Sequence, residues 1–106
     1  MEDSEQYLTY EEFKAMGNTI DQVPFNLAEA EARYIIDRET FCRFQKSGER
    51  PDELKKCMNK LINTIKFDAS YLDATEDEKR KVEDRILKSY LSNVIVDDEK
   101  ALFRGK

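Results

Sequence analysis

The sequence contains no histidine and no tryptophan, and it has only two cysteines, two prolines and three glycines. Without histidine, the Ser-His and Cys-His pairs of nucleophilic catalysis cannot form, and no glycine-rich nucleotide-binding motif is present. Cys42 and Cys57 do not form a CxxC motif, whereas a structural zinc site needs about four nitrogen or sulfur ligands. We therefore expect two reduced cysteines, no metal or cofactor, and no enzymatic activity.

Long apolar runs are also missing. A membrane span needs about 20 apolar residues, and a secretory signal contains an apolar segment, whereas this chain starts with the acidic stretch MEDSEQ. The sequence thus predicts a protein without a membrane partner that stays in the cytoplasm of the cell that makes it. Its 106 residues suit one domain with a modest core.

Charge is spread unevenly along the chain, which has a net charge of −5. Residues 1–31 contain eight acidic residues and one basic residue, whereas residues 32–66 contain nine basic and five acidic residues. Net acidity argues against a protein that grips DNA phosphates, because such a protein needs a basic face. The alternation of acidic and basic regions would instead allow one copy of the chain to bind another.

Two capping boxes predict where helices begin. Thr9 and Glu12 open the first predicted helix, and Gly17 is placed to end it. Thr75 and Glu78 open the last predicted helix in the same way. The same glutamate argues against a calcium loop in this stretch, because it occupies the position where an EF-hand loop requires glycine.

Two longer helices carry most of the predicted core. The second helix follows Asp21 and has one apolar side, with Glu29 and Arg33 expected to pair on the solvent-facing side. The third begins at Pro51, and residues 68–75 after it are predicted to form a loop. Its apolar stripe comprises Leu54, Cys57, Met58, Leu61, Ile62 and Ile65. Together these patterns predict an all-α fold, a compact bundle of about four helices with an extended C-terminal tail.

Three stretches, in this order and spacing, resemble a known family. The opening, YLTYEEFKAMG followed by IDQVPFNLAEAEARYIIDRETFCRF, looks like that of the small head–tail connector proteins of long-tailed bacteriophages and prophages. ELKKCMNKLINTI resembles the central helix of that family, and KSYLSNVIVDDEKALFRGK resembles its ending. The resemblance covers residues 7–66 and 82–106, although the charged segment 68–80 departs from the family pattern.

The resemblance implies a helical subunit that assembles into a ring of about a dozen copies below the portal vertex of a filled phage head. Such a ring extends the DNA channel at the head–tail junction of the virion. The implied partners are other copies of the chain, the portal protein, the next tail-side connector or stopper protein, and passing DNA without sequence-specific binding.

By resemblance, the chain divides into an acidic N-terminal extension (residues 1–8), a helical connector domain (9–94) and a C-terminal docking tail (95–106). Leu102, Phe103 and Arg104 would belong to the segment that reaches the portal, and we expect the tail to be mobile before docking. The alternative is that Leu102 and Phe103 fold back onto the core of their own subunit.

A channel for sliding DNA should avoid strong contacts with phosphates, and a net-acidic ring would do so. The candidate channel-lining residues are Asp73, Glu76, Asp77 and Glu78. The competing interpretation is a small helical adaptor or regulator that acts by protein–protein binding. A regulator of this kind would form a stable dimer, whereas a connector would form rings at high concentration or on the portal.

Overall fold

The computed structural model describes residues 6–96 and 98–102 of the chain. Within these residues, six helices are followed by one short β-hairpin. The elements in chain order are α1 (Tyr10–Ala15), α2 (Gln22–Thr40), α3 (Arg43–Ser47), α4 (Asp52–Phe67), α5 (Ala69–Leu72), α6 (Glu76–Leu91), β1 (Ile95–Val96) and β2 (Glu99–Lys100). The predicted all-α class is confirmed, and the two extra helices, α3 and α5, are both short.

Both predicted capping boxes are present. Thr9 Oγ1 accepts a hydrogen bond from the Glu12 N–H at 3.1 Å, and Glu12 Oε1 accepts one from the Thr9 N–H at 2.9 Å. Thr75 and Glu78 make the same two bonds at 3.2 and 3.0 Å. Because these bonds satisfy N–H groups that lack helical partners, local sequence sets the starts of α1 and α6.

The second predicted helix, which the sequence pattern extends to Phe44, is divided into α2 and α3. Phe41 and Cys42 have φ angles of 56° and 60°, so the backbone turns left-handed immediately after Thr40. This conformation is unfavourable for residues other than glycine. The turn lets Phe44 of α3 fold back into the core, where its ring lies 6.0 Å from that of Tyr7, centroid to centroid.

Residues 68–75, predicted as a loop, contain the single turn α5. The Asp68 carboxylate accepts a hydrogen bond from the Tyr71 N–H at 3.2 Å, which caps this turn. Tyr71 itself is buried, and its hydroxyl donates to Glu83 of α6 at 2.6 Å. A helix of four residues is too short to show a helical period in the sequence, so tertiary contacts account for it.

The core is centred on α4, which packs against α2 on one side and α6 on the other. The predicted α4 stripe is buried from Leu54 to Ile62, and Ile65 packs at its edge. Tyr7 and Leu8, which the sequence places in the N-terminal extension, are 1% and 0% exposed. Tight packing therefore begins before α1.

Glu29 and Arg33 pair at 2.8 Å as predicted, but Glu29 is fully buried rather than solvent-facing. Its second carboxylate oxygen, Oε2, accepts a hydrogen bond from the Tyr7 N–H at 2.9 Å. The acidic residue therefore faces the N-terminal segment, and the pair holds that segment against α2.

Candidate functional site

Few of the described side chains are of a kind that could do chemistry. Across residues 6–96 and 98–102, no group of three or more cysteine, aspartate and glutamate side chains is placed to hold a metal ion. Within the same residues, no helix is long and apolar enough to cross a membrane. Both cysteines are free, with Cys42 at the surface and Cys57 in the core. Burial raises the pKa of the Cys57 thiol to about 12, so this thiol is a core group rather than a nucleophile.

The Tyr7 hydroxyl donates a hydrogen bond to Asp37 of α2. Burial, and then this bond, raise the pKa of Tyr7, and burial also raises the pKa of Asp37. The Arg50 guanidinium carbon lies 4.7 Å from the centroid of the Tyr7 ring, and Arg50 donates to the carbonyls of Gln6 and Phe44 at 3.0 and 2.9 Å. Because these groups bond to one another, their role is structural, and they hold the N-terminal segment against the helices.

The predicted channel-lining residues lie together at the corner between α5 and α6. Asp73, Glu76, Asp77 and Glu78 are all exposed there. Glu78 also completes the capping box of α6, and Glu76 and Asp77 lie in the first helical turn, where the helix dipole favours acidic side chains. The corner is therefore an exposed acidic surface, and three of its members also stabilise the start of α6.

The chain after α6 folds back onto the core as far as Leu102. β1 and β2 pair antiparallel, and the Ala101 N–H donates to the Val94 carbonyl at 2.9 Å. Ala101 is fully buried, and Leu102 is half-buried against the core. This matches the alternative in which Leu102 packs on its own subunit. Phe103 and Arg104, the other two predicted docking residues, lie outside the described residues.

Arg43 of α3 holds this hairpin in place. Its Nη2 donates to Glu99 Oε1 at 2.9 Å, and its Nη1 donates to the Ala101 carbonyl at 3.4 Å. β1 also packs against α3, and Val96 is 1% exposed. The hairpin is thus a packed part of the domain rather than a separate appendage.

The outer side of α2 carries an apolar surface that was not predicted from the sequence. Val23, Leu27 and Tyr34 are 69%, 70% and 66% exposed, and Ala30 between them is also exposed. Their spacing of four, three and four residues places them on one helix face. These four residues are named the α2 ridge. The signal is visible in the sequence, because α2 has apolar residues on two faces and only one face can meet the core.

The α2 ridge has the composition of a protein-binding surface. Within Gln22–Thr40, all of which the structure describes, the exposed positions carry a single charge, at Glu31. Charged residues are depleted at the centres of protein interfaces, and aromatic residues such as Tyr34 are enriched there. Contiguous exposed apolar patches often mark interaction sites, so the ridge is the strongest candidate functional site in the described residues.

The chain was compared with family models, with curated proteins and with solved structures. No family model, no curated protein and no solved structure matches it. A proposal for its function therefore depends on the resemblance seen in the sequence and on the surfaces of the fold.

Proposed function

We propose that the protein is a virion assembly protein, a head–tail connector subunit that forms a ring at the portal vertex, extends the DNA channel and links head to tail. The observation that carries this proposal is the α2 ridge, an exposed and nearly uncharged apolar helix face. The sequence resemblance of residues 7–66 and 82–106 adds the class of assembly.

The small apolar area of the ridge favours an assembly that forms only at high concentration or on the portal. Burying Val23, Leu27 and Tyr34 would stabilise a contact by about 1.5–3 kcal/mol per side chain. Association costs about 4–15 kcal/mol in lost rigid-body freedom, so one such contact is weak. In a closed ring each subunit makes two contacts, and their combination raises the stability of the whole. A monomer in dilute solution and a ring at high concentration, or on the portal, follow from this balance.

In the proposed ring, the acidic corner faces the channel. Asp73, Glu76, Asp77 and Glu78 would repel DNA phosphates and let DNA pass without binding. Their exposure at a single corner supports this assignment. We assign portal contact to Leu102, Phe103 and Arg104. Leu102 is only half-buried, which supports this role because part of its side chain stays accessible to a partner.

Negative-stain electron microscopy of the concentrated protein, alone and mixed with portal rings, tests the proposal. We expect rings of uniform diameter, and in the protein alone Leu27→Asp should abolish them while Ile95→Asp, at another exposed apolar position, should not. A stable dimer that neither grows with concentration nor binds portal would contradict the proposal. That outcome would favour the alternative of a small helical adaptor or regulator.

A further inference from the structure

An open groove of about 280 Å³ lies between α4 and α6. Its floor is apolar, because Val82, Ile86 and Tyr90 of α6 line it while packing against the core. Thr64 of α4 and Ser89 of α6 add hydroxyl groups to its walls. The groove therefore offers an apolar surface, with hydrogen-bonding groups at its edges, to a partner of complementary shape.

The rim of this groove is basic. Lys60 of α4 and Arg85 of α6 are both exposed along it, and Asp68 is the acidic residue among its lining side chains. Lys81 and Lys88 are exposed on α6 at four residues before and three residues after Arg85, so the three cations follow one helix face. The half-buried Asp84 lies beside Lys81 and Lys88, so this basic face carries three exposed cations and one partly covered acid in a chain with a net charge of −5.

The α2 ridge has the complementary character. Two acidic residues, Asp21 and Glu31, are the charged residues exposed between positions 21 and 34, all of which the structure describes. The ridge projects apolar side chains, whereas the groove presents an apolar floor between cations. The lining residues of the groove come from α4, α6 and Asp68, which follows α4, so ridge and groove are different surfaces of the same molecule.

We propose that the α2 ridge of one copy of the chain docks in the α4–α6 groove of a second copy. Leu27 and Tyr34 lie against Val82 and Tyr90 of that copy, and Glu31 faces its basic rim. The contact is a helix in a groove. Each copy contributes its ridge to one neighbour and its groove to another. The contact is therefore head-to-tail and builds a ring or a chain. The inference rests on the proposed function, since it names the contact between ring subunits.

Two variants test the ridge and the groove independently. Leu27→Asp disables the ridge, and the double variant Arg85→Glu/Ser89→Glu disables the groove by placing acids where Glu31 should bind. All three positions are exposed, and exposed substitutions usually change stability by less than about 0.5 kcal/mol. Lys60→Glu on α4 is a second groove variant. The matched controls are Ile95→Asp and Lys46→Glu/Lys100→Glu, which make similar changes outside both surfaces.

Native mass spectrometry of isotope-labelled and unlabelled protein measures the number and identity of the subunits in each assembly. We expect each disabled variant to self-associate at least about tenfold more weakly than the wild type. An equimolar mixture of the two variants should give heterodimers and nothing larger, because one intact ridge then meets one intact groove. The control variants should assemble as the wild type does.

Other outcomes overturn the inference, and they distinguish it from the proposed function. Wild-type rings that persist in both disabled variants would reject the ridge–groove contact and leave the connector function standing. A wild type that binds portal rings but never self-associates would reject both the ridge–groove contact and the proposed ring, and would leave only portal binding. A two-fold dimer lost in Leu27→Asp but kept in the groove variant would show ridge-to-ridge pairing, which overturns the inference and the ring together.

Discussion

Arg38 of α2 donates a 2.9 Å hydrogen bond from Nη2 to the buried carboxylate of Glu83 on α6. The other oxygen of Glu83 accepts the 2.6 Å bond from the Tyr71 hydroxyl of α5. Burial by itself would lower the pKa of Arg38, but its hydrogen bonds to Glu83 and Glu39 raise it. One carboxylate thus joins three helices, and it fixes the acidic corner relative to the helix that carries the α2 ridge.

Replacing the cation of this network should destabilise the fold. Arg38→Met keeps the apolar stem but leaves the Glu83 carboxylate buried with Tyr71 as its remaining bonded side chain. We expect a loss of about 2–4 kcal/mol in the free energy of unfolding, measured by urea denaturation. The double variant Arg38→Met/Glu83→Leu should lose less, because it leaves no buried charge. A loss below about 0.5 kcal/mol in Arg38→Met would show that water replaces the guanidinium there.

Two buried tyrosines should make stability depend on alkaline pH. Burial, and then the bonds to Asp37 and Glu83 respectively, raise the pKa values of Tyr7 and Tyr71 above their usual 10.0. The unfolded chain ionises these phenols above a pH of about 10 while the fold keeps them protonated. Their contribution to stability is therefore complete below that pH, and it is lost as pH rises.

A parallel titration of phenolate absorbance and circular dichroism measures this effect. The phenolate signal of Tyr7 and Tyr71 should appear only together with loss of helix, and the variant Tyr7→Phe/Tyr71→Phe should lack that coupled step. Ionisation of all five tyrosines in a still helical protein would contradict the assigned hydrogen bonds.

The hairpin provides a prediction about the predicted docking tail. The Ala101 N–H is buried and bonds to the Val94 carbonyl, so its exchange with solvent should be slowed well beyond that of an exposed amide. Hydrogen exchange followed by NMR in the monomer measures this directly, with Asn93 as a neighbouring exposed position for comparison. Fast exchange at Ala101 would support the expectation of a tail that is mobile before docking.

Local signals made the starts of α1 and α6 and the central core predictable from the sequence. Thr9 and Thr75 each cap a helix by bonding to a residue three positions on, so neighbouring residues alone determine the result. The α4 stripe was also predictable, because one face of a single helix is apolar.

The features that the sequence did not predict depend on residues far apart in the chain. Glu29 has the spacing of a surface ion-pair partner, but Tyr7 approaches it from 22 positions away and covers it. α5 depends on the contact of Tyr71 with Glu83. The α2 ridge was missed for a different reason, since the sequence was taken to give this helix one apolar side, whereas Val23, Leu27 and Tyr34 form a second one that stays exposed.

The relative strength of apolar and charged contacts gives a final prediction about assembly. Exposed ion pairs contribute about 0.2–1 kcal/mol and are screened by salt, whereas burial of a leucine contributes about 1.5–3 kcal/mol. Raising the salt concentration from about 0.1 to about 1 M should therefore weaken self-association by no more than about fivefold.

Leu27→Ala should weaken self-association more than this salt change does, by about tenfold or more. Analytical ultracentrifugation of the wild type, Leu27→Ala and the control Ile95→Ala over the same salt range compares the two effects. If salt dissociates the assembly while Leu27→Ala leaves it intact, charge rather than the apolar ridge holds the subunits together. In that case the basic face of α6 would be the dominant surface, and the ridge would have another partner.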